Sequence, residues 1–308
     1  MKHMIWFCYA CLMFKLVVLL TILFCGSAFG RVLSLDSRLL NDSNVYQTTS
    51  NPTNDTSLRL TGRYSDKDQV GRIYFETFAT EKSLDNYGVS YMHQIISLFN
   101  GWKSHGEILT QQYVKKDLNL TDENINLVAG GVNWTKDFEW SDWQLTVTPE
   151  TYLYLYSATS TRSDFRPAVA GDLTYIVNGD TRVLTGGSLG YNVSSDEDYS
   201  YFKMALYGGG AYDINDTNEV SATLTLGNTS YTNRYGATAS VYANRKRGAQ
   251  TFDRNESVSS VGLNLNYDNH LSDKMSVGGQ LISYSQRSVS GLLDYNSLAL
   301  GAWFTYYF

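Results

Sequence analysis

Apolar side chains recur at every second position through most of this chain. Leu58 and Leu60 alternate with Arg59, Thr61 and Arg63, and Ile73 and Phe75 with Arg72, Tyr74 and Glu76. Further on, Val220, Ala222, Leu224 and Leu226 alternate with Glu219, Ser221, Thr223 and Thr225. A period of two marks β-strands with one apolar and one polar face, and no stretch has a helical period. The alternating segments include 57–65, 70–80, 86–99, 125–134, 143–157, 168–177, 182–193, 200–212, 219–227, 261–267, 275–285 and the terminal "LALGAWFTYYF" at 298–308. Between them lie turns rich in Asn, Asp, Ser and Gly, residues suited to tight reversals.

Two features point to a single antiparallel transmembrane β-barrel, an all-β fold. The segments run for about 9 to 13 residues, long against ordinary strands of about five or six and matched to a tilted strand crossing a bilayer. Their apolar faces also stay one-sided over the whole length, as lipid on one side and water on the other require. In lipid only a closed barrel satisfies every backbone group of a sheet; a soluble β-sandwich is the alternative. Counting back from the end gives fifteen segments, whereas closure with both ends on one side needs an even number. "YGATASVYANRKR" (235–247) is therefore read as strand extension and loop, leaving about 14 strands, with 12 or 16 as alternatives. Short turns such as "DKDQ", "NGD" and "DNHLSDK" alternate with long ones such as "NDSNVYQTTSNPTNDT", "DLNLTDEN" and "NRKRGAQTFDRNES". Barrels of this kind have short periplasmic turns and longer outer loops, which puts both termini in the periplasm.

The N-terminus fits that destination. Lys15, the apolar run Leu16 to Phe24 and the small residues of "CGSAFG" form a secretory signal peptide over residues 1–30, with cleavage expected after Gly30. Met13 begins a compact signal by itself and is the alternative start. The mature barrel then spans 31–308. All three cysteines, Cys8, Cys11 and Cys25, lie in the leader, so the barrel has neither disulfides nor thiolate metal sites. With 30 acidic against 24 basic residues and no basic cluster, the chain is a poor nucleic-acid binder.

The ending carries a resemblance. Phe308 at the terminus of an alternating strand, with Tyr306 and Phe304 two and four residues before it, resembles the assembly signal of Gram-negative outer-membrane β-barrel proteins. The glycine common in that signal is displaced here to Gly301, and Trp303 holds its usual place. The resemblance implies a bacterial outer-membrane location, insertion by the barrel-assembly machinery, and contact with outer-membrane lipid and lipopolysaccharide. "LLNDSNVYQ" (39–47) is similar to the first strand of barrels in exopolysaccharide-export and surface-lipoprotein-assembly proteins, families that usually carry a helical-repeat domain in front, and no such domain is expected from residues 1–38.

Charged residues on a polar strand face must turn inward, because a charge facing lipid costs about 2 to 4 kcal/mol at the midplane. The expected lumen set is Arg59, Arg63, Arg72, Glu76, Glu150, Asp172, Arg182, Lys203 and Glu219. Such a mixed set forms a constriction whose field selects solutes, or it neutralises itself and stiffens the wall. Tyr152, Tyr154 and Tyr156 share a face; turned inward they would offer sugars a row of rings, and turned outward they join the interfacial aromatic belt, which is the preferred reading. Trp143, Trp303 and Tyr306 are assigned to that belt. His105 and His270 fall in expected turns. His93 lies on a strand, where a barrel lipid hydrolase would place a histidine near a serine, but "HQIIS" lacks the Ser-Asn-Gly that resemblance would require. Neither a catalytic group nor a metal or cofactor is expected. The function read from these residues is a porin-like channel for passive diffusion of ions or small hydrophilic solutes, saccharides among them. The alternative is a structural or binding barrel with a closed lumen serving adhesion or export-complex assembly, and a barrel lipid hydrolase is a distant third.

Overall fold

The computed structural model describes residues 32–44, 52–66, 69–81, 85–97, 101–113, 125–157, 161–235, 255–291 and 293–308. The expected leader and the loop at 236–254 lie outside them. Fourteen strands follow in chain order: β1 (Val32–Asp42), β2 (Asp55–Asp66), β3 (Gln69–Phe78), β4 (Asn86–Ser97), β5 (Lys103–Tyr113), β6 (Ile125–Trp140) and β7 (Trp143–Ser157). The second half has β8 (Thr161–Ile176), β9 (Thr181–Ser194), β10 (Tyr201–Asn215), β11 (Asn218–Tyr235), β12 (Asn255–Ser272), β13 (Met275–Ser288) and β14 (Tyr295–Tyr307). Each pairs antiparallel with its neighbours in sequence, and β14 closes on β1. The closing ladder runs from Ser34 opposite Tyr307 to Asp42 opposite Ala299, and the Phe308 amide donates to the Leu33 carbonyl at 3.0 Å. The expectation of one all-β, 14-strand barrel is met.

Followed around the barrel, the register returns to β1 displaced by about 18 residues, which corresponds to a strand tilt of about 45°. Eight strands make a barrel that side chains just fill, and about 16 to 18 leave an aqueous channel; fourteen lies near the second case. The start of β1, the end of β14 and the described short turns share one end, here the terminal end. The strand ends Asp42 and Asp55, Tyr113 and Ile125, and Tyr235 and Asn255 share the other, the loop end.

The outer face is apolar. Leu206, Ile108, Leu300 and Leu155 are among many large side chains left roughly half exposed, and a soluble protein rarely spreads so much contiguous apolar surface. Aromatic residues gather near the terminal end of this face. Trp143 packs on Tyr175 at a tilt of 31° with centroids 4.3 Å apart, Phe138 lies 6.2 Å from Trp140, and the Lys136 ammonium sits 4.7 Å from the Phe138 ring centroid. Tyr306 meets Phe308 edge-on at 4.8 Å on the same face as Phe304. Deleting Phe308 removes both this contact and the last bond of the closing ladder. We expect it to reduce the heat-modifiable, folded fraction in outer membranes several-fold while leaving the properties of inserted molecules unchanged, which a gel of boiled and unboiled membranes would read.

Several strands are longer than their patterns suggested. The segments 125–134 and 143–157 leave "KDFEWSD" between them as a turn, yet β6 runs through it to Trp140, because Asp137 and Glu139 alternate with Lys136, Phe138 and Trp140. Likewise β8 begins at Thr161, well before the apolar run at 168. The ladders skip a step where proline has no N–H to give: opposite Pro149 in β7, and at Pro167 in β8. Gly291, with φ of 73°, makes the left-handed turn into β14.

Candidate functional site

Because side chains alternate across the wall, the register fixes which residues share the lumen. On β1 to β3, Arg38 stands opposite Arg59, and Arg63 opposite Arg72. Like charges placed directly opposite repel, and the wall relieves only one of the four. Arg59 donates to Glu76 at 2.6 Å, and Glu76, 8% exposed, also accepts from Ser57 at 3.1 Å and Asn86 at 3.1 Å. Arg63 and Arg72 are exposed to the lumen without an ion pair among the described residues.

The opposite arc is acidic. Glu107 on β5 accepts from the Tyr152 hydroxyl at 2.7 Å, and Glu150 lies two residues before Tyr152 on the same face of β7, opposite Asn133 and Ala168. Asp172 on β8 accepts from the Tyr207 hydroxyl of β10. Tyr152, Tyr154 and Tyr156 thus lie on the lumen face, and Leu153 and Leu155 between them are 47% and 48% exposed on the outside. The belt assignment for the three tyrosines is corrected. Their strand alternates a ring with a leucine; the hydroxyls of Tyr152 and Tyr156 go to Glu107 and Arg166, and Arg166 also covers the Tyr154 ring.

Four aromatic rings at middle depth share a device that the sequence did not reveal. A Cβ at Gly88 would stand 2.5 Å from the Tyr74 ring, and one at Gly186 would stand 2.6 Å from the Tyr207 hydroxyl. Gly131 is likewise overlaid by Tyr152, and Gly278 by Trp303. Each glycine sits on a strand next to its ring, so each ring lies flat against the wall instead of projecting into the lumen. Such coverage of strand glycines by cross-strand aromatics pins register. Trp303 is therefore corrected from belt to lumen: its bulk fits only where Gly278 leaves room, and Arg38 lies 5.7 Å from its ring centroid. The arginine and acid partners of these rings, Arg59 and Arg38 against Glu107 and Asp172, give the middle of the lumen a basic side and an acidic side.

Each end carries its own cluster. At the loop end, Asp164 is 1% exposed and pairs with Arg162 at 3.2 Å and Arg166 at 2.9 Å. Arg162 is clasped between the rings of Tyr156 at 4.2 Å and Tyr199 at 4.0 Å. Arg166 lies 4.1 Å from the Tyr154 centroid and donates to Asn192 and Tyr156 at 2.8 and 2.7 Å. Tyr199 belongs to a one-turn 3-10 helix, Glu197–Tyr199. At the terminal end Arg182 bridges Asp213, at 3.2 Å, and Glu219. Lys203 is exposed on the lumen face of β10 near the loop end.

The expected lumen residues are thus all on that face, but in three separate groups. Arg63, Arg72, Glu150 and Lys203 make no ion pair or side-chain hydrogen bond among the described residues, whereas Arg59, Glu76, Asp172, Arg182 and Glu219 are held by neighbours. Arg38, Glu107, Arg162, Asp164 and Arg166 were missed. The triplet Arg162, Asp164, Arg166 at alternate positions was a usable signal, obscured by the following Pro167. His105 is corrected from a turn to β5, opposite Asn133; His270 also lies in a strand, near the end of β12. His93 is on the outer face, 6.4 Å from the Tyr91 ring, and no serine or acid bonds to it among the described residues. Nor is there a cluster of three metal-ligating side chains among them.

No family model matches this sequence, and no relative is similar enough in sequence to match it. In structure, the chain resembles a bacterial polysaccharide outer-membrane secretin, with a TM-score of 0.52 at 9% identity over 90% of this chain and 98% of that one. It also matches the anion-selective porin of Comamonas acidovorans (0.46, 8% identity, 90% and 98% covered) and OccD3 of Pseudomonas aeruginosa (0.47, 9%, 91% and 92%). With a closed antiparallel ladder, a lipid-facing exterior and a polar interior, this chain has the fold of the bacterial outer-membrane β-barrels.

Proposed function

We propose that this barrel is an outer-membrane channel for passive diffusion of ions and small hydrophilic solutes, with both termini periplasmic after removal of a signal peptide. The observation that carries the reading is the treatment of the lumen rings. Tyr74, Tyr152, Tyr207 and Trp303 are folded onto glycines, which holds these four rings against the wall of a 14-strand barrel while charged groups face the water. Acidic side chains outnumber basic ones on the lumen face, above all at the terminal mouth, where Asp137, Glu139, Asp213, Glu219 and Asp268 face Lys103 and Arg182. Weak cation preference follows, since rings of like charge set selectivity in wide pores.

Planar-bilayer recording tests this: discrete conductance steps and a reversal potential of the cation-selective sign are expected, and their absence would sink the reading. Two acid variants separate selectivity from structure. Glu150→Gln removes an open lumen charge and should shift the reversal potential toward neutrality with stability unchanged. Glu76→Gln disturbs a paired, buried carboxylate and should lower stability with little effect on selectivity. A second reading, export of a saccharide polymer or service in an export assembly, draws on the polysaccharide secretin named above. Under that reading an isolated barrel gives rare or no openings, and steady passage of small salts argues against it.

A further inference from the structure

The lumen wall between β11 and β1, in the terminal half, contains a recess of about 370 Å³ that the charged candidates above do not explain. We propose that it binds a neutral saccharide unit. The proposal deepens the channel reading and rests on it for how the sugar arrives. The recess is floored by Trp303, whose ring is pressed onto Gly278 and exposes its other side to the lumen. Around it stand planar polar groups: Arg38, Asp36, Gln280, Asn266 and Asp268.

Three observations assign the ligand class. First, the planar groups have bonding capacity to spare. Gln280 and Asp268 make no side-chain hydrogen bond among the described residues, Asn266 makes only a long one to Ser221 at 3.4 Å, and Asp36 accepts one from Thr305 at 3.1 Å. Carboxylates, amides and guanidinium groups each present paired acceptors or donors, the spacing at which adjacent hydroxyls of a pyranose are bound. Second, the aromatic floor is available. Arg38 hovers at 5.7 Å from the centroid, near the outer limit of about 6 Å for such contacts, so the C–H face of a sugar can displace it. Third, the charges nearly cancel: Asp36 and Asp268 face Arg38, with His270 at the rim. The excess carboxylate repels an acidic sugar and Arg38 repels a cation from the same recess, so a neutral hydroxylated ligand is the class these groups oppose least. The larger recess nearby, around Arg182, is strongly acidic, with Asp180 and Asp216 beside the Asp213 and Glu219 that Arg182 bridges, and no Trp, Tyr or Phe lines it.

Trp303 is also the reporter, since Trp134, Trp140 and Trp143 are on the outer face and Trp102 lies beside Lys136 there. Maltotriose added to the detergent-solubilised barrel should change tryptophan emission saturably, with calorimetry giving the same affinity. Trp303→Phe should abolish the optical change but retain calorimetric binding. Gln280→Ala and Asp268→Asn, checked for heat-modifiable migration, should each weaken binding about tenfold. No saturable signal by either method overturns the site, and so does tighter binding of trigalacturonate than of maltotriose. Conductance without sugar binding refutes this inference alone, whereas sugar binding without conductance refutes the channel reading alone.

Discussion

Gly131→Val should destabilise the barrel by about 2 to 3 kcal/mol, the usual cost of forcing extra carbons into a filled site. A Cβ there would collide with the Tyr152 ring and would lie 2.5 Å from the Thr151 carbonyl oxygen. The ring can rotate away, but the carbonyl belongs to the backbone of β7 and cannot. Rotation would swing Tyr152 into the lumen and break its 2.7 Å bond to Glu107, so single-channel conductance should fall as well. Adding Tyr152→Ala separates the two effects: conductance should recover, while most of the lost stability should not. Gly171, with nothing within 4 Å of its added Cβ, serves as control, and Gly171→Ala should be silent. Unchanged unfolding midpoint and conductance in Gly131→Val would show that the ring is not seated on that glycine.

The second large effect is expected at the loop end. Asp164→Ala leaves Arg162 and Arg166 crowded together, with side chains only 22% and 29% exposed and their shared carboxylate gone. Removing one partner of a buried pair costs about 3 to 5 kcal/mol, and the partial exposure of both arginines puts this case at the lower end. Arg166 retains Asn192 and Tyr156, so the damage should centre on Arg162 and the 3-10 turn that carries Tyr199. Combining Asp164→Ala with Arg166→Met should restore part of the loss, because two like charges are reduced to one. Denaturant unfolding in lipid vesicles reads these differences, and a loss below about 1 kcal/mol would mean that the cluster is bathed by solvent.

What could be read from the sequence follows from what alternation reports. The two-residue period at Leu58 to Arg63 or Val220 to Thr225 reveals the strand and its lumen face, because lipid tolerates no charge. Strand ends were harder: Asp137 and Glu139, or Arg162 and Asp164, look like turn residues until their neighbours are seen to alternate with them. The site was legible by face and not by grouping. Nothing local tells that Arg38 meets Trp303 across the closing seam, about 265 residues apart in sequence. Nor does any single strand show that Tyr152 seats on Gly131, since the glycine and the ring belong to different segments and only the register joins them. Tyrosine at a strand position is equally at home at an interface or over a glycine, and the choice depends on the residue opposite.

The seating of the rings has a consequence for how such a barrel can diversify. The rings are seated by glycines on the backbone itself, whereas the charges at Arg63, Arg72, Glu150 and Lys203 hang from it without ion pairs among the described residues. The calibre of the passage and its chemical taste are therefore written in different residues. Either can be rewritten, by selection or by an engineer, without disturbing the other.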